Sequence, residues 1–492
     1  MTLRFSILVL LMTLVAGPLA VAQDAIPESP SDLVFPELEF QPPSPGDARI
    51  ELPGGIPCFV VEDHSVPVVT LGLRFRAGSF DDPEGKEGLA AIAMQLLRTG
   101  GTDAMTPEEL SEELERLAID VTAGAGDRAL TVSASCLTED LERCVELVTD
   151  MIRQPRLDES RLALIKAQTM EGLRHRFDAP SQVAQIYLDQ ILYRGHPASR
   201  TVTASSVEAI TVEDIRQFLE QALQPATLIV DMGGDVDRSE AGEILQPLLD
   251  GWEDTGFEPT DPPAELDPLP PGVYVIDVPA AQAIIYGAQP SMSRHDPDYD
   301  PDFYAMRVGN MVLGGGFSSR LTQRIRVQEG LAYVVQAYGF SNVGYPGQQL
   351  LVALVDAPSA ARACQIMEEE LSSLSAEPPT PEETARAKQG LFSTWVGFFE
   401  SASSIASDYA SLLMDDMPLS FYLEWYDKTA APTAADVSAT FEERVPLAEM
   451  RWVIAGPAEA LTAEPEDGPS LADLGPVTVL TPGDPTGQVE LP

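Results

Sequence analysis

Residues 88–101 read GLAAIAMQLLRTGG, and the interpretation of the whole chain starts from this stretch. Apolar residues recur there close to a 3.6-residue spacing, which predicts a helix with one buried face. These residues are Leu89, Ile92, Leu96 and Leu97. Glycines bound the segment, and an acidic loop, GSFDDPEGKEG, leads into it. From Leu89 to Leu97 there is no histidine, carboxylate, cysteine or serine. The sequence therefore predicts a well-bounded helix that carries no catalytic or metal-binding side chain.

The composition indicates a globular and strongly acidic protein with more than one domain. The chain has 492 residues, which is too long for a single hydrophobic core, and 44% of them are hydrophobic. Its formal net charge of −47 excludes nucleic acid and anionic membrane surfaces as partners. The acidic residues are spread along the chain and are not gathered in one tail. They indicate either a strongly solvated surface or a negative electrostatic field that attracts basic peptides.

Residues 1–22, MTLRFSILVLLMTLVAGPLAVA, have the pattern of a secretory signal peptide. Arg4 precedes an apolar run, and the segment ends in Ala-Val-Ala before Gln23. We therefore expect an exported protein, periplasmic or extracellular, with no membrane insertion after signal cleavage. The alternative is an uncleaved membrane anchor, but the apolar run is short for a bilayer span.

Four cysteines could form two disulfides in an exported chain. They are Cys58, Cys136, Cys144 and Cys364, and their spacing fits neither a C-x-x-C pair nor a zinc finger. Cys144 and Cys364 lie on apolar helix faces, where buried free thiols are expected. The sequence leaves the pairing open.

The chain is an internal duplication with a period of about 220 residues. LERCVELVTDMI (141–152) resembles AARACQIMEEEL (360–371). Three more pairs follow in the same order: LIKAQTMEGL with ARAKQGLFST, AITVEDIRQFLEQAL with APTAADVSATFEERV, and ATLIVDMGGDVD with EMRWVIAGPAEA. Four landmarks in a common order indicate two homologous lobes.

Prolines and acidic residues mark the boundaries of these lobes. EDTGFEPTDPPAELDPLPPG separates the two halves and is incompatible with regular structure. The sequence therefore predicts six segments: a signal peptide (1–22), a proline-rich extended segment (23–47), an N-terminal lobe (48–252), a linker (253–272), a C-terminal lobe (273–460) and a flexible tail (461–492).

Strand and helix patterns alternate irregularly within each half, which is typical of the α+β class. VPVVTLGLRFRAG and RALTVSASC alternate like strands. Helix starts are predicted at Thr106 and Thr380, each followed by proline and, three residues on, by glutamate. Threonine caps are also predicted at Thr211 and Thr433. We expect two homologous α+β lobes in a clamshell arrangement, each with helices on one face of a sheet.

The strand VTLGLRFRAGS, the acidic loop and the helix that ends in RTGGT together resemble the zinc-site region of the insulinase-like (pitrilysin) metallopeptidases. The resemblance runs from about residue 48 to residue 460 and includes the duplication and the linker. It implies a helix with the motif H-x-x-E-H, in which two histidines bind zinc and the glutamate activates water. A third, carboxylate ligand is implied on a later helix of the same half.

In this sequence the three motif positions hold Ala91, Met94 and Gln95, none of which can bind zinc or act as a base. The later helix, near 158–176, offers Glu171 but no carboxylate clearly in register. The histidines are His64, His175, His196 and His295, and no two have the spacing of metal ligands on a helix. We therefore expect a vacant zinc site, Ala91 and Met94 packed in the core, and no metal or cofactor held by this chain.

The segment VLGGGFSSRLTQRIRVQEGLAYVV (312–335) resembles the second-half signature of the same family. The resemblance implies that Arg326 and Tyr333 hydrogen-bond the substrate backbone and the developing oxyanion. Both side chains suit that role, because they are hydrogen-bond donors and the guanidinium is always charged. The structural alternative pairs Arg326 with an acid such as Glu329 and buries the Tyr333 ring. We expect the pair to lie at a cavity between the lobes.

Gly314, Gly315 and Gly316 form a turn that permits close backbone approach and positive φ. The lysine of a nucleotide-binding loop is missing, because no lysine occurs between residues 167 and 387. Some heterodimers of the family carry a glycine-rich loop here, so the resemblance implies a peptide-contact loop. Ser318, Ser319 and Arg320 are expected to cap and anchor the helix that follows.

The resemblance thus implies a non-catalytic, substrate-binding subunit of an exported zinc peptidase. Its partners would be a homologous zinc-bearing subunit, in a heterodimer, and a peptide that adds as a strand to a sheet edge. The alternative is an inert structural or peptide-binding homologue of the core-subunit type. An independent hydrolase is not supported, because no Ser-His-Asp or Cys-His arrangement has a motif context.

Overall fold

Two mixed β-sheets form the centres of the two lobes in the computed structural model, which describes residues 43–296, 299–465, 467–489 and 491. From Pro42 to Pro492 the chain forms one compact unit. The signal peptide expected at 1–22 and most of the extended segment expected at 23–47 lie outside the described residues. Among the described helices, none has the length and apolar character needed to cross a bilayer.

The N-terminal sheet has six strands in the order β1-β2-β6-β3-β5-β4. They are β1 (Arg49–Leu52), β2 (Ile56–Glu62), β3 (Val68–Arg76), β4 (Asp120–Ala125), β5 (Ala129–Leu137) and β6 (Leu228–Gly234). β2 and β6 are parallel, and the other neighbours are antiparallel. The alternating patterns quoted above fall on β3 and β5, as predicted.

The C-terminal sheet has six strands in the order β12-β7-β11-β8-β10-β9. They are β7 (Gly272–Asp277), β8 (Gln282–Pro290), β9 (Ala332–Gly339), β10 (Gln348–Asp356), β11 (Arg451–Gly456) and β12 (Val477–Leu480). β7 and β11 are parallel, like β2 and β6, and β8, β10 and β9 follow in antiparallel order. Five strands of each sheet therefore correspond, and the duplication is confirmed in the topology.

Helices surround the two sheets. They are α1 (Pro45–Ala48), α2 (Leu89–Thr99), α3 (Pro107–Arg116), α4 (Leu141–Arg153), α5 (Glu159–Arg174), α6 (Pro180–Leu192), α7 (Ala204–Ala209), α8 (Val212–Ala222), α9 (Ala241–Ile244), α10 (Gln246–Leu249), α11 (Tyr299–Gly314), α12 (Ala360–Ala376), α13 (Pro381–Gly397), α14 (Ala402–Met414), α15 (Phe421–Ala430), α16 (Ala434–Arg444) and α17 (Ala458–Leu461). A π-helix covers Thr322–Gln328. The four threonine caps are confirmed, because each hydroxyl accepts the N–H three residues on in a capping box.

The two lobes exchange a helix, which the sequence did not predict. α6 of the N-terminal lobe packs on β8 and β11, while α14 of the C-terminal lobe packs on β2, β3 and β6. Every residue of β11 is buried, and β6 is buried from Leu228 to Gly233. The expectation of helices on one face of each sheet is therefore wrong, because the other lobe supplies a helix for the second face.

A buried ion pair lies where α14 meets the N-terminal sheet. Arg74 Nε donates to Asp231 Oδ2 at 3.1 Å, and its Nη2 donates to Ser407 Oγ on α14 at 2.7 Å. Gly72 leaves the room for the carboxylate, since a Cβ there would lie 2.4 Å from Asp231 Oδ2. Burial raises the pKa of Asp231, and Arg74 opposes that shift. Arg74 therefore offsets the cost of burying the Asp231 carboxylate and links the two lobes through Ser407.

The linker crosses the junction in an extended form, with no helix or strand between residues 253 and 271. His196 fixes it, because Nε2 lies 3.1 Å from the carbonyl oxygen of Pro263 and Nδ1 accepts the N–H of Ala198. These partners define a neutral imidazole protonated at Nε2, and burial lowers its pKa. The ring also lies 4.6 Å from that of Tyr345 in the C-terminal lobe. His196 is therefore a structural residue of the lobe junction.

The described part of the segment 461–492 differs from the flexible tail that we expected. β12 pairs in parallel with β7, and Leu471 and Leu480 are buried. Beyond β12, the carbonyl oxygen of Thr486 accepts the N–H of Ala204 in the N-terminal lobe at 2.8 Å. The short strand VTVL was not predicted, because the surrounding sequence is rich in proline and acidic residues. Its pairing with β7 completes the sheet.

Removing residues 470–492 is expected to lower the free energy of unfolding by about 3 kcal/mol, because Leu471 and Leu480 lose their buried sites. Urea unfolding followed by circular dichroism measures the change. Val479 is 50% exposed, so Val479→Ala is the matched control and should change stability by less than about 0.5 kcal/mol. Equal stability of the shortened and full chains would show that the segment is a loose tail.

All four cysteines are free and buried in the structure. Cys144 lies on α4 and Cys364 on α12, at equivalent positions of the two lobes. Both face the apolar core, as predicted from the helix pattern.

Candidate functional site

The helix α2 begins where a carboxylate replaces an ordinary cap. Gly88 takes a left-handed φ of 98°, which glycine accommodates without strain. Asp82, in the acidic loop, accepts the N–H groups of Gly88 and Ala90 at 2.7 and 2.8 Å. Two of the free donors at the helix start are thereby satisfied. The acidic loop therefore serves the geometry of α2 and supplies no reactive group.

Asp82 predicts a measurable pH dependence of stability. Burial raises its pKa from 3.8 to about 6, although the two N–H donors oppose the shift. Between these values the native state binds a proton that the unfolded state has lost, so the free energy of unfolding falls as pH rises from about 4 to 6. Relative to Asp82→Asn, the native chain should lose up to about 3 kcal/mol over this range in urea titrations. A free energy of unfolding that stays constant or rises with pH, relative to Asp82→Asn, would contradict the assignment.

The three motif positions on α2 do not fit a zinc ion. Ala91 has a methyl group, Gln95 a neutral amide, and Met94 is fully buried in the core. Ala91 and Gln95 are exposed, one turn apart, so the expected packing is confirmed for Met94 and wrong for Ala91. Ala91 occupies the face on which a ligand would stand, and a small side chain leaves that face open.

The neighbouring helix α5 does not complete a metal site either. It packs against α2, but its Glu171 is exposed and pairs with Arg174 at 2.6 Å and His175 at 3.1 Å. Across the described ranges, no group of three or more histidine, cysteine, aspartate or glutamate side chains could hold a metal ion. The donor set of this lobe is therefore unsuited to catalytic zinc, which needs three protein ligands.

The π-helix that carries Arg326 is anchored by its preceding residues. Ser319 Oγ donates to the carbonyl oxygen of Gly316 at 2.6 Å, and Arg320 binds both carboxylate oxygens of Glu383 on α13. Arg324 pairs with Glu369 and Glu370 on α12 at 2.7 and 2.9 Å. The expected anchoring by Ser319 and Arg320 is therefore present. π-Helical turns often accompany functional sites.

Arg326 and Tyr333 lie together on the surface of the C-terminal lobe. The Arg326 Cζ atom is 4.6 Å from the centroid of the Tyr333 ring and 5.1 Å from that of Phe317. Tyr333 and Phe317 are 77% and 76% exposed, which is unusual for aromatic residues. Phe317 was not predicted from the sequence, and its place directly after three glycines was the available signal.

The structural alternative for Arg326 and Tyr333 is wrong. Glu329 pairs with Arg362 instead, whose Nε donates to Glu329 Oε2 at 3.0 Å. The Tyr333 ring is not buried. Within the described part of the chain, the Arg326 guanidinium has no ion pair or hydrogen bond, and its contacts are with the two rings. Its N–H donors are therefore available to an acceptor from outside the chain.

Two of the three glycines permit a close approach, and positive φ plays no part. Gly314 ends α11, and a Cβ there would lie 2.2 Å from the backbone nitrogen of Ala337 on β9. A Cβ on Gly315 would lie 2.4 Å from Met311 Sδ, whereas Gly316 has nothing within 4 Å. None of the three has a positive φ. Gly314 brings α11 onto β9, and Gly316 keeps the adjoining surface open.

The pair does not line a cavity between the lobes, which corrects that expectation. Arg326, Tyr333 and the glycines line a groove of about 500 Å³ that residues 311–338 form on their own. A separate cavity of about 620 Å³ lies between the lobes, lined by Arg76 and Arg128 of the N-terminal lobe and by Arg294 and other residues of the C-terminal lobe. The groove that Arg326 lines therefore includes no residue of α2.

Comparison with known proteins gives a family for both lobes. Residues 58–206 match the family model described as insulinase (peptidase family M16), and residues 209–391 match the one described as the peptidase M16 inactive domain. The two matches run almost without interruption from β2 to α13. They cover the α2 region and the Arg326 region alike.

Two curated relatives carry different descriptions. A non-peptidase homolog of Helicobacter pylori, YmxG, is 26% identical over 288 residues, covering 57% of this chain and 64% of that protein. An uncharacterized zinc protease of Streptomyces coelicolor is 27% identical over 314 residues, covering 61% of this chain and 66% of that protein. The chain therefore spans just under two thirds of the length of these relatives.

A solved structure has the same fold. The crystal structure of a peptidase M16 inactive domain from Pseudomonas fluorescens superimposes with a TM-score of 0.74 at 24% identity. The superposition covers 83% of this chain and 98% of that chain. The two-lobed α+β architecture is therefore common to both.

Proposed function

Because the chain belongs to the insulinase family, peptidase family M16, we propose that it is a non-catalytic, substrate-binding subunit of an exported zinc peptidase. In this proposal Arg326 and Tyr333 complete the active site of a homologous, zinc-bearing partner. The complex hydrolyses peptides, and this chain holds no metal or cofactor. The observation that carries the proposal is the half-buried Arg326 guanidinium, which contacts the exposed rings of Tyr333 and Phe317 and has no described polar partner.

The chemistry of the two side chains supports this role. Zinc bound by the partner would supply the activated water. Arg326 would donate to the oxygen on which negative charge develops, and fixed donors of this kind stabilise a transition state more than the ground state. The Tyr333 hydroxyl offers a second donor. Phe317 and Tyr333 limit the rotation of the guanidinium, so less conformational entropy is lost when substrate binds.

The inactive state of the isolated chain is supported by its residues and by its relatives. Ala91, Met94 and Gln95 provide no metal ligand and no general base. One curated relative is called a non-peptidase homolog, and the matching model of the second half is called inactive. Another relative is called a zinc protease, so the family includes proteins of both descriptions.

Export is part of the proposal and depends on residues 1–22. A signal peptide cleaved after Ala22 would leave Gln23 as the first residue of the mature protein. The net charge of −47 supports a protein that does not bind nucleic acid or anionic membranes. Sequencing the N-terminus of the protein purified from its natural host tests this element.

The alternative is an inert structural or peptide-binding homologue, which the description of one relative as a non-peptidase homolog favours. Under this alternative Arg326 and Tyr333 are remnants of an active ancestor. Substitution of Arg326 would then change no catalytic rate in any complex that contains the chain.

A reconstitution experiment separates the two functions. The proposal predicts that a homologue with H-x-x-E-H is encoded beside this chain. That homologue is purified alone and mixed with this chain, and cleavage of a fluorogenic peptide library is followed. The proposal predicts cleavage by the mixture and neither zinc retention nor cleavage by this chain alone. If the mixture is no more active than the homologue alone, the partner role is wrong.

A further inference from the structure

Cys136 and Cys144 lie side by side in the core of the N-terminal lobe. Cys136 is the next-to-last residue of β5, and Cys144 is the fourth residue of α4, with a single 3₁₀ turn (Thr138–Asp140) between strand and helix. Both side chains are buried, 4% and 1% exposed, and belong to the same hydrophobic cluster. The Cys144 thiol donates a hydrogen bond to the Cys136 sulfur. The fold thus brings two free thiols into contact across a short turn.

The C-terminal lobe has one cysteine where the N-terminal lobe has this pair. Cys364 on α12 is fully buried and corresponds to Cys144. The strand position that corresponds to Cys136 holds Val355. Each is the next-to-last residue of a nine-residue strand, and each lies opposite the second residue of the neighbouring strand, β3 or β8. Because a valine fills this position in the second lobe, apolar packing alone does not account for Cys136.

The hydrogen bond makes the two sulfurs chemically unequal. It lowers the pKa of Cys136, which accepts the bond, and it raises the pKa of Cys144, which donates it. Because the thiolate is the nucleophile in disulfide exchange, Cys136 is the attacking cysteine and Cys144 the resolving one. Burial instead raises the pKa of Cys58 and of Cys364, which favours the thiol form at both positions.

We propose that Cys136 and Cys144 form an intramolecular disulfide when the chain folds in an oxidising compartment, while Cys58 and Cys364 remain thiols. The proposal rests on the export that is part of the proposed function and on no other element of it. The oxidant is an external disulfide, such as that of a thiol oxidoreductase. The Cys136 thiolate attacks this disulfide and displaces one thiol, and Cys144 then attacks the Cys136 sulfur and displaces the second. Two electrons and two protons thereby pass from the pair to the oxidant, which leaves as two thiols.

The disulfide would fasten the start of α4 to the end of β5. It closes a short loop, residues 136–144, and a cross-link of this kind stabilises a protein mainly by restricting its unfolded chain. Reduction of the disulfide is therefore expected to raise the equilibrium constant for unfolding about 10- to 100-fold. Both sulfurs are buried in the native chain, so exchange takes place while the chain folds, before the core closes around them.

Mass spectrometry of the chain from an oxidising compartment tests the proposal. Residues 23–492 are directed to a bacterial periplasm by a foreign signal peptide, and free thiols are alkylated under denaturing conditions. We expect two of the four cysteines to be alkylated before reduction and all four after it. Trypsin cleaves after Arg143, so the two cysteines fall on separate peptides, ALTVSASCLTEDLER and CVELVTDMIR. A disulfide between Cys136 and Cys144 keeps these two peptides joined until a reductant is added.

The variant Cys136→Val is the matched control, because it copies the residue of the second lobe, Val355. It should have three alkylated cysteines before and after reduction. Its midpoint of urea unfolding should not change when a reductant is added, whereas that of the native chain should fall. Cys144 then has no partner, so the comparison assigns the effect of the reductant to this pair.

Four alkylated cysteines in the periplasmic chain would overturn the proposal, and so would a disulfide that includes Cys58 or Cys364. Failure of the proposed function is seen separately. An unprocessed N-terminus in the natural host would refute export, but the foreign signal peptide makes the disulfide result independent of residues 1–22. A mixture with the zinc-bearing homologue that cleaves no peptide would refute the partner role and leave the disulfide result unchanged.

Discussion

Replacing Arg326 with alanine is expected to lower kcat/KM for peptide cleavage by the reconstituted complex about 100-fold or more. Loss of a single donor to a developing oxyanion costs about 100- to 1,000-fold in kcat, which corresponds to about 3–4 kcal/mol. The fall should appear mainly in kcat, because the interaction is stronger in the transition state than in the bound substrate. Steady-state rates over a range of peptide concentrations separate the two constants.

Three variants make this result specific to the guanidinium. Arg326→Lys keeps the charge but loses the planar donors, so it should recover only part of the rate. Tyr333→Phe removes one hydroxyl and should have a smaller effect than Arg326→Ala. Arg116→Gln breaks an exposed pair with Glu113 on α3 of the N-terminal lobe and should leave the rate within about twofold. A complex with Arg326→Ala that keeps the full rate would show that Arg326 is a remnant.

Replacing Arg74 with methionine is expected to lower the free energy of unfolding by about 3–5 kcal/mol at pH 7. The change leaves Asp231 buried, 4% exposed, without its cation at the point where α14 joins the N-terminal sheet. Its pKa, already raised by burial, should rise further. The native state would then hold a proton that the unfolded state releases, so the loss of stability grows as pH rises. Urea unfolding between pH 5 and pH 8 measures it.

The double variant Arg74→Met/Asp231→Asn tests the cause of this loss. With Asp231 replaced by a neutral amide, it should lose most of the added pH dependence and recover part of the stability; Asp408 on α14, whose pKa Arg74 also lowers, accounts for the remainder. Arg116→Ala is the exposed control, because its pair with Glu113 has an arginine side chain that is 62% exposed, and it should cost less than about 0.5 kcal/mol. An Arg74→Met chain as stable as the native one at pH 8 would contradict the role of the pair.

Local sequence patterns predicted the features that depend on local interactions. The spacing of apolar residues located α2, and the Thr-Pro-x-Glu pattern located the starts of α3 and α13. The repeated segments led to the two corresponding sheets. Each of these signals acts through contacts within one element or between residues close in sequence.

Features that depend on contacts between distant residues were not predictable. Nothing in the pattern of α6 or α14 indicates that each packs on the sheet of the other lobe, because an apolar face does not specify its partner. VTVL was too short to be recognised as β12 among prolines and acidic residues. The burial expected for Ala91 was wrong for a local reason, because Ala91 lies one turn before Gln95, on the side of α2 opposite Leu89.

At the candidate site, too, some features could be predicted from local sequence and others depend on contacts between distant residues. The lack of zinc ligands at the motif positions was evident from the sequence, because the side chains of Ala91, Met94 and Gln95 supply no metal-binding group. The proximity of Arg326 to Tyr333 was implied by the resemblance and is present in the structure. Phe317 and the absence of a described acidic partner for Arg326 required coordinates, because several nearby glutamates offered alternatives.

The most direct test of the account is a titration of this chain into a fixed amount of its zinc-bearing homologue, with the rate of peptide cleavage as the readout. Complementation predicts that neither protein is active alone and that the rate rises linearly to a break at one chain per partner. Two results would contradict this account. One is zinc binding and peptide cleavage by this chain in the absence of the partner, and the other is a partner rate that this chain leaves unchanged.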